Sequence, residues 1–421
     1  MHEISYWRED FPVALALRES VLPERVDVAI IGGGLTGLAT GLYLAQRSVS
    51  VAILEQEIIG WGASTRNAGM ALIGLKLPPE QLVRRYGRAQ ARQFHRASLE
   101  ALAFAEQLIQ RENISCDFRR CGELCAAYRP SHFKALQASQ KFLREEFDHP
   151  TELVPPADMP REVGSHFYHG GLRDAMSASL HPAKLVAGLA QAAQRAGVSI
   201  YERTRVEHCQ RLTSNYVLHT SRGHLPAQEI VAATNGYTPG MLVALRRRVI
   251  PVGSYIIVTE PLGAALAQEL IPQNRMIFDS KNFLFYFRRT PDDRLLFGGR
   301  TSFTPVTNAA AAAMLAGDMR AVFPQLQQTK IAYAWHGNVA FTFDQMPHVG
   351  RLEGIHYAMG YCGHGVIMSL YLGHCLARLL CGEACDTPFA QLEFPAYFFY
   401  RERPWFLPLA GAYFKMVDRF S

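Results

Sequence analysis

The spacing of apolar and polar residues changes several times along the chain, and each change predicts an element. Val26 to Ile31 is a largely apolar, β-branched run that reads as a buried strand. Leu35, Leu38, Ala39 and Leu42 then recur at helical spacing, and Val51 to Leu54 reads as a second buried strand. Polar and apolar positions mix in a helical manner from Pro79 to about Gln110 and again around Phe133 to Phe147. In the next helical stretch Pro182 suits a first turn and Gly197 a C-terminal cap, with Val198 to Tyr201 following as a strand. Arg205 to Cys209, Asn215 to Thr220 and Gln228 to Ala233 read as short strands separated by turns.

From Val249 to about Phe343 strand-like runs alternate with polar turns and enclose an alanine-rich helix near Ala309 to Ala321. That alternation predicts an antiparallel sheet. The segment IHYAMGYCGHGVIMSLYLGHCLARLL then returns to the α/β pattern of the start, with an apolar strand, a glycine-rich turn and a helix. No repeat or low-complexity linker divides the 421 residues, a length that suits two closely joined domains.

Composition narrows the partners. With 49% hydrophobic and 19% charged residues the chain reads as a globular protein. A net charge of +6 is modest and Arg246-Arg247-Arg248 is its longest basic run, so no nucleic-acid partner is expected. No apolar window is long enough to predict a membrane span, and the polar start MHEISYWRED lacks the features of a secretory signal. The eight cysteines form no CxxC pair, which removes zinc-ribbon and redox-disulfide readings. Reduced thiols, a cytoplasmic location and no metal are the resulting expectations.

The first strand runs directly into Gly32-x-Gly34-x-x-Gly37, and the second ends at Glu55, 18 residues after Gly37. This is the β–α–β order that a dinucleotide requires. Gly32 permits the tight turn, Gly34 lets the backbone approach a pyrophosphate, and Gly37 lets the helix pack on the strand. Leu35 and Thr36 stand at the helix N-terminus, whose N–H groups and partial positive charge favour phosphates. Glu55, with Gln56 beside it, can accept the ribose hydroxyls of an adenosine and would repel a 2′-phosphate.

Gly360-Tyr361-Cys362-Gly363-His364-Gly365 precedes a helix with Val366, Ile367, Leu370 and Leu376 at its apolar positions. A helix N-terminus there would stabilise negative charge on a reduced flavin. The sequence holds no second GxGxxG, so no separate nicotinamide domain is expected and electrons would come directly from the substrate.

These motifs, with SYWRE, IGWGASTRNAGM, GGLRDAMSASLHPAKL, VAATNGYTP, RLLFGGR and DQMPHVGR, span nearly the whole chain. Together they resemble the D-amino-acid oxidase/glycine oxidase superfamily of FAD-dependent amine oxidoreductases, and within it the γ-glutamylputrescine oxidase-like branch. The resemblance implies an α/β fold. Residues 1–80, 165–240 and 340–395 would form a discontinuous, Rossmann-like FAD-binding domain of the glutathione-reductase type. Residues 81–164 and 241–339 would form an antiparallel-sheet substrate domain, with 396–421 as an aromatic and basic tail. It further implies that Arg66, Asn67, Ala68, Gly69 and Met70 line the flavin, that Val206 meets adenine, and that Thr234 and Asn235 close the nucleotide side. Gly363, His364, Gly365 and Val366 would lie against the ring.

The implied reaction oxidises the C–N bond of an amine or amino acid to an imine, with hydride passing to flavin N5 and O2 as acceptor. A γ-glutamyl-polyamine-like molecule is one candidate substrate. Two alternatives remain open: an amine dehydrogenase serving a quinone or carrier, and a flavin-bearing accessory subunit without activity. Sarcosine oxidases in the family attach their flavin to a cysteine in the segment that resembles His336 to Asp344. This chain has none there, so non-covalent FAD is expected. The lysine that assists oxygen in those enzymes falls here at Leu296 or Phe297. His364, Tyr286 and Arg288 are the catalytic candidates, and Tyr255, Arg300 and His336 the substrate-pocket candidates. The tail reads as packing over the substrate side, with weak membrane-surface association as the alternative.

Overall fold

Val26–Ile31, Leu35–Ala45 and Val51–Leu54 form the strand, helix and strand that their periodicity predicts. Both faces of the first strand are covered. Val28 and Ile30 enter one apolar cluster, while Val26, Ala29 and Ile31 enter another. A strand covered on both sides must be almost wholly apolar, which explains the run VDVAII. The structure is a computed structural model that describes residues 1–12, 21–299, 306–402 and 404–420.

Around that strand, distant parts of the chain assemble one mixed sheet. Val51–Leu54 and Gly223–Ala232 flank Val26–Ile31 in parallel, Ser199–Tyr201 extends one side, and Ile355–Met359 joins Gly223–Ala232 in parallel. Val206–Arg211, Tyr216–Thr220 and His348–Leu352 add antiparallel margins. The strand expected at Gln228 to Ala233 starts earlier, because Gly223 to Ala227 pairs with Tyr216–Thr220 in a hairpin.

A second sheet runs in the order Ile331–Phe341, Ile250–Thr259, Leu295–Gly299, Phe285–Arg289, Met276–Asp279, Glu123–Ala126, Gly171–Asp174, Glu152–Val154. All its pairings are antiparallel except Met276–Asp279 with Glu123–Ala126. Gly171–Asp174, within the range 165–240 that the resemblance groups with the FAD-binding domain, belongs to this sheet. One face packs Phe287, Phe297 and Tyr255 against the helix Asn308–Val322 through Leu315 and Met319. The opposite face packs Ile256, Val258 and Leu296 against Trp7, Ala68, Met70 and Trp335.

The N-terminal helix Tyr6–Asp10 is a brace for the loop that precedes Met70. Ser5 Oγ donates to the Thr65 carbonyl, Trp7 Nε1 to that of Asn67 (2.9 Å), and Trp335 Nε1 to that of Arg66 (2.9 Å). At the other end of the chain the tail packs on the body. Tyr400 donates to the Val249 carbonyl, and the Asp418 carboxylate accepts the N–H groups of Asn282 and Phe283.

Gly37 holds the tightest contact of the first unit. A Cβ there would stand 2.1 Å from the Gly32 carbonyl oxygen, whereas one at Gly317, in the helix Asn308–Val322, would meet nothing within 4 Å. Overpacking ordinarily costs about 1–3 kcal/mol, and backbone cannot yield as a side chain can. Gly37→Val is therefore expected to lower the melting temperature by several degrees. Gly317→Ala should leave it unchanged or raise it, since it removes helix-disfavouring glycine for up to about 1 kcal/mol. Thermal unfolding of both variants checks the contrast.

Candidate active site

The fingerprint turn opens onto a cavity of about 220 Å³. Gly32, Gly34, Leu35 and Thr36 line it, as do Glu55, Gln56 and Val206 from the neighbouring strand ends. Glu55 is held rigidly: its Oε2 accepts the Gly33 N–H (2.8 Å) and its Oε1 accepts the Glu57 N–H (3.0 Å). Burial raises its carboxyl above the usual range, against the opposing pull of those two bonds. Each oxygen keeps acceptor capacity for a hydroxyl pair. Gly34 is a true cradle, because a Cβ would stand 2.7 Å from Ser64 Oγ.

The second glycine-rich turn closes the same cavity with Cys362, Gly363, Gly365 and Val366. Positive φ at Gly360 (81°), Cys362 (52°) and Gly363 (104°) curls the chain into the helix Gly365–Leu380. Two bonds tie this turn to the rest of the site. Tyr361 Oη meets Thr36 Oγ1 at 2.7 Å, and Asn235 Oδ1 accepts the Gly360 N–H at 2.9 Å. Behind them the two helices touch so closely that a Cβ on Gly373 would stand 2.9 Å from both Ala39 Cβ and the Thr36 carbonyl oxygen.

A second cavity, of about 530 Å³, adjoins the first. Ala63, Asn67, Asn338, Val339, Cys362, Gly363 and Val366 line both. Met70, Ile256 and Tyr286 supply apolar wall near this junction, with Tyr286 Oη bonded to Ser254 Oγ at 2.9 Å. His364, Lys76 and Arg66 also line this cavity. Burial pushes His364 down to about 4, and the charge of Lys76 adds to the effect. Its imidazole is neutral at physiological pH. The Cys362 thiol is buried and bonded to the Gly360 carbonyl, and burial pushes it up to about 11, so it stays protonated.

A glycine cradle, two convergent helix N-termini and a rigid carboxylate over one elongated cleft fit a flavin dinucleotide. The family model for FAD dependent oxidoreductases, the DAO family, matches residues 27–379. The chain belongs to that family. Over 398 residues it is 33% identical to gamma-glutamylputrescine oxidoreductase of Escherichia coli, covering 93% of each chain. It is 26% identical over 389 residues to glycine oxidase of Geobacillus kaustophilus, covering 89% of this chain and 97% of that one. The crystal structure of glycine oxidase from that organism superposes with a TM-score of 0.74 at 24% identity, covering 89% of this chain and all (100%) of the other. L-proline dehydrogenase from P. horikoshii shares the fold with a TM-score of 0.70 at 20% identity, covering 87% of this chain and 96% of the other. This chain is thus an FAD-dependent oxidoreductase of the amine and amino-acid oxidase type.

In this oxidoreductase most of the predicted cofactor residues line one cavity or both. Gly32, Gly34, Leu35, Thr36, Glu55, Gln56, Val206, Thr234, Asn235 and Gly365 face the first, Arg66, Ala68, Met70 and His364 the second, and Asn67, Gly363 and Val366 both. Gly37 and Gly69 act one layer behind, where a side chain would strike the Gly32 and Leu180 carbonyl oxygens respectively.

One catalytic candidate, Arg288, and two substrate-pocket candidates, Tyr255 and His336, face elsewhere. Arg288 is buried beneath the pocket. Its guanidinium donates to the Gly69 (2.6 Å) and Leu180 (3.0 Å) carbonyls, and Trp7 covers it with its ring centroid 5.5 Å away. It braces the flavin loop and lines neither cavity. Tyr255 points through the opposite face of its strand, where its hydroxyl bonds Val306, and Ser254 and Ile256 line the pocket instead. His336 pairs with Tyr255 in register and bonds Asn308 Oδ1 at 2.7 Å, again away from the cavity. Arg300 lies outside the described residues.

Several lining residues have no signal that sequence reasoning could use. Ser64, Tyr237 and Asn338 stand in or beside segments that carry the family resemblance but have no chemical signature of their own. Lys76 lies in an unremarkable loop, and Glu123, His95, His149 and Asp174 meet in the second cavity from four separate segments.

His364 carries a stability consequence. Its folded value of about 4 lies below the ordinary 6.5, so between those limits the unfolded chain binds more protons. His95, His356 and His374 are lowered to about 4 in the same sense, chiefly by burial. Stability therefore falls as pH drops from 6.5 toward 4, by up to about 1.4 kcal/mol per pH unit for each such proton. Melting curves across that range should show the decline, and a shallower one in His364→Asn. An unchanged slope in that variant would place His364 in water.

Proposed function

We propose that the protein oxidises the C–N bond of an amine or amino acid to an imine and passes the electrons to O2, giving H2O2. The observation that supports this most directly is the shared wall: a cavity for a dinucleotide meets a largely apolar cavity at Cys362, Gly363 and Val366. FAD held there supplies a two-electron acceptor for the hydride on the carbon that bears the nitrogen. The chain's own residues position and dry the substrate. Tyr286, Ile256 and Met70 exclude water from the reacting carbon, and Ser254 fixes the Tyr286 hydroxyl.

An amine gives up hydride readily only when its nitrogen carries a lone pair. Lys76 and Arg66 at this cavity disfavour a second positive charge beside them, so the substrate amine is held neutral. Neutral His364 stands near as a proton acceptor. The substrate loses two electrons and two protons in all, one proton leaving with the electron pair as hydride and the other leaving nitrogen. Water then splits the imine to a carbonyl compound and ammonia or a smaller amine. The two electrons and two protons convert O2 to H2O2.

Reduction of oxygen needs a nearby cation to stabilise the first-formed anion. Leu296 and Phe297 cannot supply it. Leu296 packs against Trp7 and Trp335, and Phe297 lies on the far face of its strand. His364 is neutral. Arg66 is turned toward the His336 carbonyl and lies over the Trp61 ring. Lys76 is the other cation at this cavity, and we assign it this role. Lys76→Met is expected to slow reoxidation by O2 by at least about tenfold, and more than it slows anaerobic reduction by substrate; stopped-flow mixing measures both steps. His364→Ala should affect the oxygen step less.

The activity is tested by anaerobic mixing of the yellow protein with amines, polyamine derivatives and amino acids, and loss of flavin absorbance is the expected result. No bleaching by any of them would support an accessory subunit. Bleaching reversed by a quinone but not by O2 would support a dehydrogenase. Acid precipitation is expected to leave the flavin in the supernatant, because the Cys362 thiol is protonated and hydrogen-bonded. Colour in the pellet would show a covalent link.

A further inference from the structure

The larger cavity crosses the second sheet and changes chemistry along the way. Its lining passes from Ser254 and Ile256 through Tyr286 and Phe278 to Glu123 and then Asp174. In strand order Phe285–Arg289 and Glu123–Ala126 are separated by Met276–Asp279 alone. Neighbouring strands lie about 4.8 Å apart, and Tyr286 is level with Phe278 and Cys125, two residues from Glu123, so Glu123 stands about 12 Å from Tyr286. The Glu123 end also holds His95, His149 and Thr151.

That end is rich in acceptors without partners. Glu123 Oε2, Thr151 Oγ1 and His95 Nε2 are buried and make no hydrogen bond. A bond from Ser177 reaches the Glu123 carboxyl but leaves Oε2 unserved. Burial pushes Glu123 up to about 8, as expected of a carboxyl with no cation beside it, while burial and the neighbouring His149 push His95 down to about 4, so its imidazole is neutral. His149 does not fill that place, because its Nε2 is bonded to Asp174 Oδ2 at 2.5 Å. Buried polar atoms without partners usually mark where something else binds. Three acceptors, one of them a carboxyl oxygen, suit a donor-only cation, whereas an anion would face Glu123.

We infer that the Glu123, His95 and Thr151 end of the cavity binds a second, ammonium-bearing end of the substrate, so that the enzyme selects linear amines with a distal cation. This rests on the amine-oxidising reading above and adds the substrate class. The lining of the cavity changes from basic to acidic side chains along its length. Lys76 and Arg66 hold the reacting nitrogen neutral beside the flavin, while an ammonium arriving at the far end would hold the Glu123 carboxyl ionised against its burial. A diamine therefore enters in one orientation, with its unprotonated end at the reacting position. The span of about 12 Å favours long chains over short ones.

The test uses the FAD-loaded protein and a series of linear α,ω-diamines, each paired with the monoamine of equal length. Anaerobic flavin reduction is followed at rising amine concentration, and the melting temperature of the oxidised protein is recorded with each amine. The longer diamines should half-saturate the reaction at concentrations about tenfold lower than their monoamines, the size expected for a charge-assisted hydrogen bond. They should also raise the melting temperature more. In Glu123→Gln and in Thr151→Val the diamine-to-monoamine ratio should fall toward one. Equal performance of diamines and monoamines in the unmodified protein would overturn the inference while leaving amine oxidation standing, and needs no variant to fold. A ratio undiminished in Glu123→Gln would overturn it too. Reduction by neither series nor by any amino acid would sink both readings together.

Discussion

The arrangement rests on one close approach of backbone to backbone. Gly37 lies so near the Gly32 carbonyl oxygen that only a hydrogen fits between them. This brings the N-terminus of Leu35–Ala45 down onto the end of Val26–Ile31, where the phosphates of FAD need it. The same economy of side chains recurs where Gly373 meets Thr36 and Ala39. Because both helices are held at contact distance, the Tyr361–Thr36 bond can form. The two ligand-facing turns, more than 300 residues apart in sequence (|i−j|=325 for that pair), then become walls of one cleft.

From that cleft the electrostatics follow in order. One end carries a fixed carboxylate, Glu55, held by two backbone N–H groups. Helix N-termini occupy the middle, and Lys76 and Arg66 line the second cavity. The same cavity also carries acidic side chains, Glu123 and Asp174. Burial sharpens each step by removing water, which is why His364 loses its proton while Cys362 keeps its own. The braces outside the cleft contact neither cavity. Arg288 and Trp7 hold the backbone of the Asn67 to Gly69 loop, so that Ala68 and Met70 present their side chains to the pocket.

Much of this is legible in the sequence because it depends on backbone requirements. A glycine that must admit a carbonyl, or a strand covered on both faces, leaves a pattern that short-range reading detects. The pocket is less legible. Alternation along a strand shows which residues share a face, not which face meets the ligand. Tyr255 and Tyr286 both lie on strands of the same sheet, yet one faces the helix Asn308–Val322 and the other the second cavity. Arg288 shares the face of Tyr286 but lies one strand step farther on, beneath Trp7. Lys76, Glu123, His95 and His149 leave no trace, since nothing local links a loop lysine to acids and histidines brought together only by tertiary packing. The strand Gly171–Asp174 is silent for the same reason: its partners, Glu123–Ala126 and Glu152–Val154, are chosen across long separations.

Everything above turns on the flavin ring separating the two cavities at the Cys362 to Val366 turn. A crystal structure of the yellow protein tests this most directly. The expected result is the isoalloxazine against Gly363 and Val366, one face toward Tyr286 and Ile256, with the adenosine hydroxyls on Glu55. A ring lodged elsewhere, or side chains closing the larger cavity around it, would contradict that placement.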